Sequence, residues 1–97
     1  MKLLITGHHG QVGQALIQQA AAHNFQVAAY DRSELDIANR AAVLQTVERE
    51  QPAVIINAAA YTAVDKAESE PAAAYAANAE GADNLARAAH AVGAAIL

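Results

Sequence analysis

The sequence TGHHGQVG at residues 6–13 contains three glycines, each separated from the next by two other residues. It follows a short apolar run, residues 3–6, of the kind that forms a strand buried on both faces of a parallel sheet. After the glycines, apolar side chains return at helical spacing, at Val12, Ala15 and Leu16. The sequence therefore predicts a glycine-rich turn between a buried strand and a helix.

Such a turn is suited to binding a phosphate group. Gly7 would allow the tight turn, Gly10 would let a pyrophosphate approach the backbone, and Gly13 would let the helix pack closely on the sheet. The helix directs its free N–H groups and its positive dipole end at the anion. Asp31 lies at the end of the next predicted strand, at about the 20-residue distance expected for a ribose-binding acid. This context favours a dinucleotide site over the alternative, a tight turn without a ligand.

The middle of the chain continues the alternation of strands and helices. Residues 25–30 (FQVAAY) and 53–57 (AVIIN) are apolar and bounded by polar residues, which predicts two further strands. Between them, Asn39 is suited to cap the start of a helix, and Pro52 to follow its end.

The last part of the chain predicts a third helix and the beginning of a fourth strand. The helix should run from Pro71 to about Ala91, with Gly93 as its C-terminal stop, and residues 94–97 (AAIL) begin the strand. The alternation predicts an α/β fold, a Rossmann-type doubly wound parallel sheet. Because the fourth strand has only begun, we expect residues 1–97 to be the N-terminal part of one nucleotide-binding domain in a longer protein.

The composition limits the partners and the compartment. The chain has 97 residues, of which 55% are hydrophobic and 4% aromatic, so its core must consist of Ala, Val, Ile and Leu. A formal net charge of −4 argues against a nucleic-acid partner. No cysteine is present, which excludes disulfides and thiolate metal sites. No apolar run approaches the ~18 residues of a membrane span, and a signal peptide is not apparent, so we expect a cytoplasmic protein.

Two segments resemble known enzymes. TGHHGQVG resembles the TGxxGxxG fingerprint of extended short-chain dehydrogenases/reductases, and residues 57–71 (NAAAYTAVDKAESEP) resemble the signature segment of the dTDP-4-dehydrorhamnose reductase family. The resemblance covers the whole chain, including the helix that carries Asn78 and Gly81. It implies hydride transfer from NADPH or NADH to the C4 keto group of dTDP-4-dehydro-L-rhamnose, a nucleotide sugar, to give dTDP-L-rhamnose for cell-envelope polysaccharide. The resemblance does not decide whether the protein forms a homodimer.

The resemblance also implies which residues contact the cofactor, in addition to Gly7 and Gly13. They are Gly10, Gln11 and Val12 at the phosphates, Asp31 and Arg32 at the adenosine ribose, Asp36 and Ile37 at the adenine, and Ala59, Ala60, Tyr61 and Thr62 along the ribose and nicotinamide side. Asp31 favours a free ribose 2′-hydroxyl, whereas Arg32 could pair with a 2′-phosphate, so the choice between NADH and NADPH stays open. Tight packing against a helix is an equally compatible reason for the small side chains of residues 58–60.

The catalytic residues of the family are not found in this sequence. The resemblance implies a Tyr-x-x-x-Lys pair, in which tyrosine protonates the reduced carbonyl and lysine lowers the tyrosine pKa. The tyrosines here, Tyr30, Tyr61 and Tyr75, are followed four residues later by Glu, Asp and Ala. We therefore expect catalysis to depend on residues beyond Leu97, and residues 1–97 alone to be inactive.

Several polar residues have competing explanations. His8 and His9 are adjacent and make a poor metal pair, and residues 7–28 contain no acid for the magnesium described in some relatives, so we predict no metal. The charges of residues 65–70 are typical of a solvated loop, with Asp65 the exception because it belongs to the family segment. Asn78 is either an active-site asparagine, as in this superfamily, or a surface residue of a helix.

Two rival functions remain open at this point. One is another extended-family reductase or epimerase that acts on a nucleotide sugar, which residues of the substrate domain would distinguish. The other is a non-catalytic NADP-binding regulatory subunit, which an intact Tyr and Lys beyond residue 97 would exclude.

Overall fold

The protein is described from a computed structural model. The structure describes residues 1–7, 11–58 and 71–97, and of residues 11–12 and 71–78 it describes the backbone alone. Strands and helices alternate along these ranges, as predicted. They are β1 (Lys2–Thr6), α1 (Gln11–Ala22), β2 (Gln26–Tyr30), α2 (Arg40–Glu50), β3 (Val54–Asn57), α3 (Pro71–Val92) and β4 (Ala95–Ile96).

The four strands form one parallel sheet in the order β2-β1-β3-β4. The chain runs from β1 outward to β2, then crosses back over β1 to reach β3 on its other side. Leu4 of β1 consequently lies between Ala28 of β2 and Ile55 of β3. This reversal of direction is the feature that defines a doubly wound sheet, so the predicted fold class is confirmed.

Helices cover both faces of the sheet. Helix α1 packs on β1 and β2, whereas α2 and α3 pack against each other and share a core with Leu4 and Ile55 on the opposite face. That core includes Val43, Val47 and Leu85, which are fully buried. Burying each such side chain contributes about 1.5–3 kcal/mol. The aliphatic core expected from the composition is therefore present.

Local signals set the helix ends. The Asn39 side chain accepts a hydrogen bond from the N–H of Ala42 at 3.1 Å, which confirms the predicted cap of α2. Gly93 has a φ of 74° and ends α3, also as predicted. The second strand begins one residue later than predicted, because the N–H of Phe25 bonds to the carbonyl of Ala20 in α1 at 2.9 Å. The third strand likewise begins one residue later, at Val54.

None of the helices within residues 11–58 and 71–97 combines the length and the hydropathy that crossing a membrane requires.

Candidate functional site

The carboxyl ends of β1, β2 and β3 meet at one edge of the sheet. Thr6, the last residue of β1, is in register with Tyr30 of β2 on one side and Asn57 of β3 on the other. From β1 the chain continues to α1 on one face of the sheet, and α3, which follows β3, lies on the other face. Open α/β sheets bind their ligands at such a switch point, beyond the carboxyl ends of the two diverging strands. The crevice expected beyond the carboxyl ends of β1 and β3 is therefore the candidate site.

Gly7 makes the first turn of this crevice. Its φ of 74° is left-handed, and its N–H donates to the Tyr30 carbonyl at 2.8 Å. The backbone thus stays bonded to β2 for one residue past β1. This φ is the one that the predicted tight turn at Gly7 requires, but residues 8–10, which would complete the turn, lie outside the described residues, so the turn stays a prediction.

Helix α1 begins at Gln11, four residues after Gly7. Its first turn carries no acidic side chain, so the positive end of the helix dipole is not neutralised from within the helix. Gly13, in the same turn, is buried. A helix start that follows a strand in this way offers backbone N–H groups to an anion.

A part-buried hydrogen bond joins the two strands that flank the crevice. The Thr6 hydroxyl donates to Oδ1 of Asn57 at 2.9 Å, and Thr6 is 1% exposed. Sequence reasoning did not assign this pair to the site. A signal was available, because each residue is polar, ends its strand and directly follows three apolar residues. The bond fixes the relative position of the two strand ends from which the crevice opens.

Asp31 forms part of a closed turn directly after β2. Its backbone N–H donates to a carboxylate oxygen of Glu34 at 3.1 Å, and the N–H of Glu34 donates to Oδ1 of Asp31 at 2.9 Å. The Ser33 hydroxyl donates to the same Asp31 oxygen at 2.7 Å. These reciprocal bonds hold the Asp31 carboxylate at the carboxyl edge of the sheet, while the neighbouring Arg32 is exposed.

Asp36 and Ile37 lie further along the same connection and differ in their surroundings. Asp36 is exposed, and its Oδ1 accepts a hydrogen bond from the N–H of Ala38 at 3.0 Å. Ile37 packs its side chain against the α2–α3 core, and its carbonyl accepts a hydrogen bond from Asn84 at 2.9 Å. The structure therefore brings Asp31, Arg32 and Asp36 together on one connection, with Ile37 anchoring it.

The end of β2 is also tied to α2. The Arg49 guanidinium donates to the Tyr30 hydroxyl at 3.1 Å, and this hydrogen bond raises the pKa of Arg49 above its usual value. The pair is exposed, so it serves to orient the two side chains rather than to store much energy.

Part of the predicted site lies outside the described residues. This holds for the whole of Gly10, Ala59, Ala60, Tyr61 and Thr62, for the loop acid Asp65, and for the side chains of Gln11, Val12 and Asn78. Their roles stay predictions. In the part of the chain that the structure describes, no group of three or more His, Cys, Asp or Glu side chains is placed to hold a metal ion.

Comparison with known proteins identifies the family. The profile described as "RmlD substrate binding domain" matches residues 1–97, the whole length of this chain. The chain belongs to this family. The resemblance seen in the sequence is thereby confirmed.

Relatives of this RmlD-family chain are reductases. A dTDP-4-dehydrorhamnose reductase from Streptomyces griseus is 48% identical over 94 residues, which is 97% of this chain and 31% of the relative. A crystal structure of a dTDP-4-dehydrorhamnose reductase from Clostridium acetobutylicum matches with a TM-score of 0.87 and 47% identity, over 99% of this chain and 34% of that one. The reductase from Bacillus anthracis, in complex with NADP, matches with a TM-score of 0.86 and 41% identity, over 98% of this chain and 34% of that one. The chain spans about a third of the length of these relatives.

The left-handed backbone at Gly7 leads to a first prediction. Gly7→Ala should lower the free energy of unfolding by about 1 kcal/mol, because a Cβ is disfavoured at positive φ. Gly93→Ala is the matched control, since Gly93 has the same φ of 74° and a Cβ there meets no atom within 4 Å. Urea denaturation followed by circular dichroism measures both. A neutral Gly7→Ala beside a costly Gly93→Ala would show that the turn at Gly7 is not left-handed in solution.

Proposed function

We propose that the chain is the N-terminal, NAD(P)H-binding part of a dTDP-4-dehydrorhamnose reductase. The reaction would transfer hydride from NADPH or NADH to the C4 keto group of dTDP-4-dehydro-L-rhamnose and yield dTDP-L-rhamnose. The observation that carries the proposal is the 48% identity to a reductase of that name over 97% of this chain. The absence of cysteine fits the reducing cytoplasm that we propose as its compartment.

The geometry of the switch point supports a dinucleotide as the cofactor. Gly7 turns the chain at the end of β1, and α1 follows with no acid in its first turn. A pyrophosphate on this helix start would be bound by backbone N–H groups, including those of Gly10, Gln11 and Val12. The NADP complex of the Bacillus anthracis relative supports the same kind of ligand.

The connection after β2 supports an adenosine site beside the pyrophosphate. The turn places Asp31 at the carboxyl edge, where an acid can hydrogen-bond the ribose hydroxyls. Arg32 and Asp36 follow on the same connection and are exposed. The nicotinamide end of the cofactor would then extend past β3 towards Ala59, Ala60, Tyr61 and Thr62.

The residues of this chain would bind and orient the cofactor, while the bound cofactor supplies the hydride. Protonation of the developing alkoxide needs a donor with a pKa tuned towards the working pH. We propose that the Tyr–Lys pair and the residues that bind the sugar follow residue 97 in a longer protein. The relatives, which are about three times as long as this chain, support that division.

The function can be tested by assaying two proteins side by side. We expect the full-length protein to oxidise NADPH with dTDP-4-dehydro-L-rhamnose as substrate, and residues 1–97 alone to show no turnover. A full-length protein that binds NADPH but reduces no nucleotide sugar would favour the regulatory-subunit alternative. Turnover by the purified 97-residue chain, free of host reductase, would mean that the catalytic residues lie within residues 1–97.

The choice between the two cofactors gives a further prediction. Residues 31–39 carry three carboxylates and one guanidinium, Arg32, so Arg32 is the group on this connection that can pair with a 2′-phosphate. We expect Arg32→Ala to weaken NADPH binding about tenfold and to leave NADH binding nearly unchanged. Fluorescence titration with each cofactor measures the two affinities.

Arg40→Ala is the control for this experiment, because Arg40 is also exposed but begins α2 instead of following Asp31. Arg40→Ala should change the affinities for NADPH and NADH by the same factor. An equal loss for both cofactors in Arg32→Ala would mean that Arg32 contacts a part that the two cofactors share, and no loss for either would mean that its side chain faces solvent.

A further inference from the structure

The connection between β2 and α2, residues 31–39, is held in place from the far end of the chain. Leu35, in its middle, is 5% exposed and belongs to the core formed with Val43 and Val47 of α2. Two residues later, Ile37 packs its side chain against the same core. Its other contacts come from α3.

Gly81 of α3 provides the space that Ile37 occupies. A Cβ built on Gly81 would lie 2.5 Å from both Cγ1 and Cδ1 of Ile37 and 3.3 Å from its Cβ. Carbon atoms in ordinary van der Waals contact are about 3.5–4.0 Å apart, so no other residue type fits without moving Ile37. Glycine inside a helix is less favourable than alanine by about 1 kcal/mol. In an alanine-rich helix, this packing gives a physical reason for glycine at position 81.

Asn84 of α3 fixes the backbone of the same residue. Its Nδ2 donates to the Ile37 carbonyl at 2.9 Å, and Asn84 is 5% exposed. Asn84 is three positions after Gly81, so the two lie on the same face of the helix. One α3 residue thus accommodates the Ile37 side chain, and the other holds its carbonyl.

Ile37 lies at the centre of a short turn that includes Asp36. The Asp36 carboxylate accepts the N–H of Ala38, so the side chain of Asp36 spans Ile37 from one side to the other. A displacement that shifts the Ile37 backbone would therefore move Asp36 with it. Asp36 is exposed at the part of the connection that we assign to the adenine.

We propose that Gly81 and Asn84 are positioning residues for the adenosine half of the cofactor. They contact no ligand themselves and act through Ile37, whose position sets that of Asp36. The inference rests on the proposed cofactor site. It assigns to α3 a role in cofactor affinity that is separate from the nicotinamide end of the cofactor, which donates the hydride.

The test uses the full-length protein and compares affinities for NADPH and for ADP, which carries the adenosine and the pyrophosphate but no nicotinamide. Gly81→Ala should weaken both ligands by the same factor, about tenfold, because a displaced Ile37 affects adenosine contacts only. Asn84→Ala, which adds no bulk, should also weaken the binding of both NADPH and ADP.

Gly93→Ala is the matched control, as it introduces the same methyl group just after α3 with no atom within 4 Å. It should leave both affinities unchanged. Circular dichroism identifies any variant that does not fold, and if Gly81→Ala fails to fold, Asn84→Ala decides the question.

Two results would overturn the inference: unchanged NADPH affinity in folded Gly81→Ala or Asn84→Ala, or a loss for NADPH with none for ADP. Failure of the unaltered protein to bind NADPH would instead refute the proposed function.

Discussion

The hydrogen bond from the Gly7 N–H to the Tyr30 carbonyl, made with left-handed backbone, is the constraint on which the rest of the arrangement depends. It extends the pairing of β1 with β2 by one residue before the chain leaves the sheet for α1. Helix α1 can therefore begin within four residues and return the chain to β2 on one face. The reversal to β3 then opens a crevice beside the same glycine. Fold and candidate site share one local cause.

The edge of the sheet around that glycine is fixed by polar contacts between distant parts of the chain. Thr6 and Asn57 tie the ends of β1 and β3 across 51 positions in sequence, and Asn84 ties the connection after β2 to α3 across 47. Each is part-buried, where an unpaired polar group would cost about 1–3 kcal/mol. Such contacts preorganise a binding edge, because the strand ends need not rearrange when a ligand arrives.

Local signals were sufficient to predict most of the fold from the sequence. Asn39 and Gly93 act on backbone groups within a few residues of themselves, so their roles can be read from the sequence without tertiary information. The start of β2 was misplaced by one residue, because Phe25 bonds back to Ala20 instead of joining the sheet. That bond closes the end of α1 and depends on how the helix terminates, which propensity does not reveal.

The site was predicted less completely, since its supports are contacts between distant segments. The sequence placed Asp31 at the end of β2, and the structure shows it there in a closed turn. The packing of Ile37 on Gly81 could not be predicted, because no local pattern joins residues 44 positions apart. A hint existed in the mid-helix glycine itself, whose unfavourable propensity requires a compensating contact.

The central claim is that a dinucleotide binds with its pyrophosphate against the turn that begins at Gly7. The most direct measurement is the affinity of the full-length protein for NADPH before and after Gly10→Val, by calorimetric titration, with circular dichroism to show that the variant is folded. The account predicts that binding is lost, because the valine side chain fills the space that the pyrophosphate would occupy. Unchanged NADPH affinity in a folded Gly10→Val variant would contradict it.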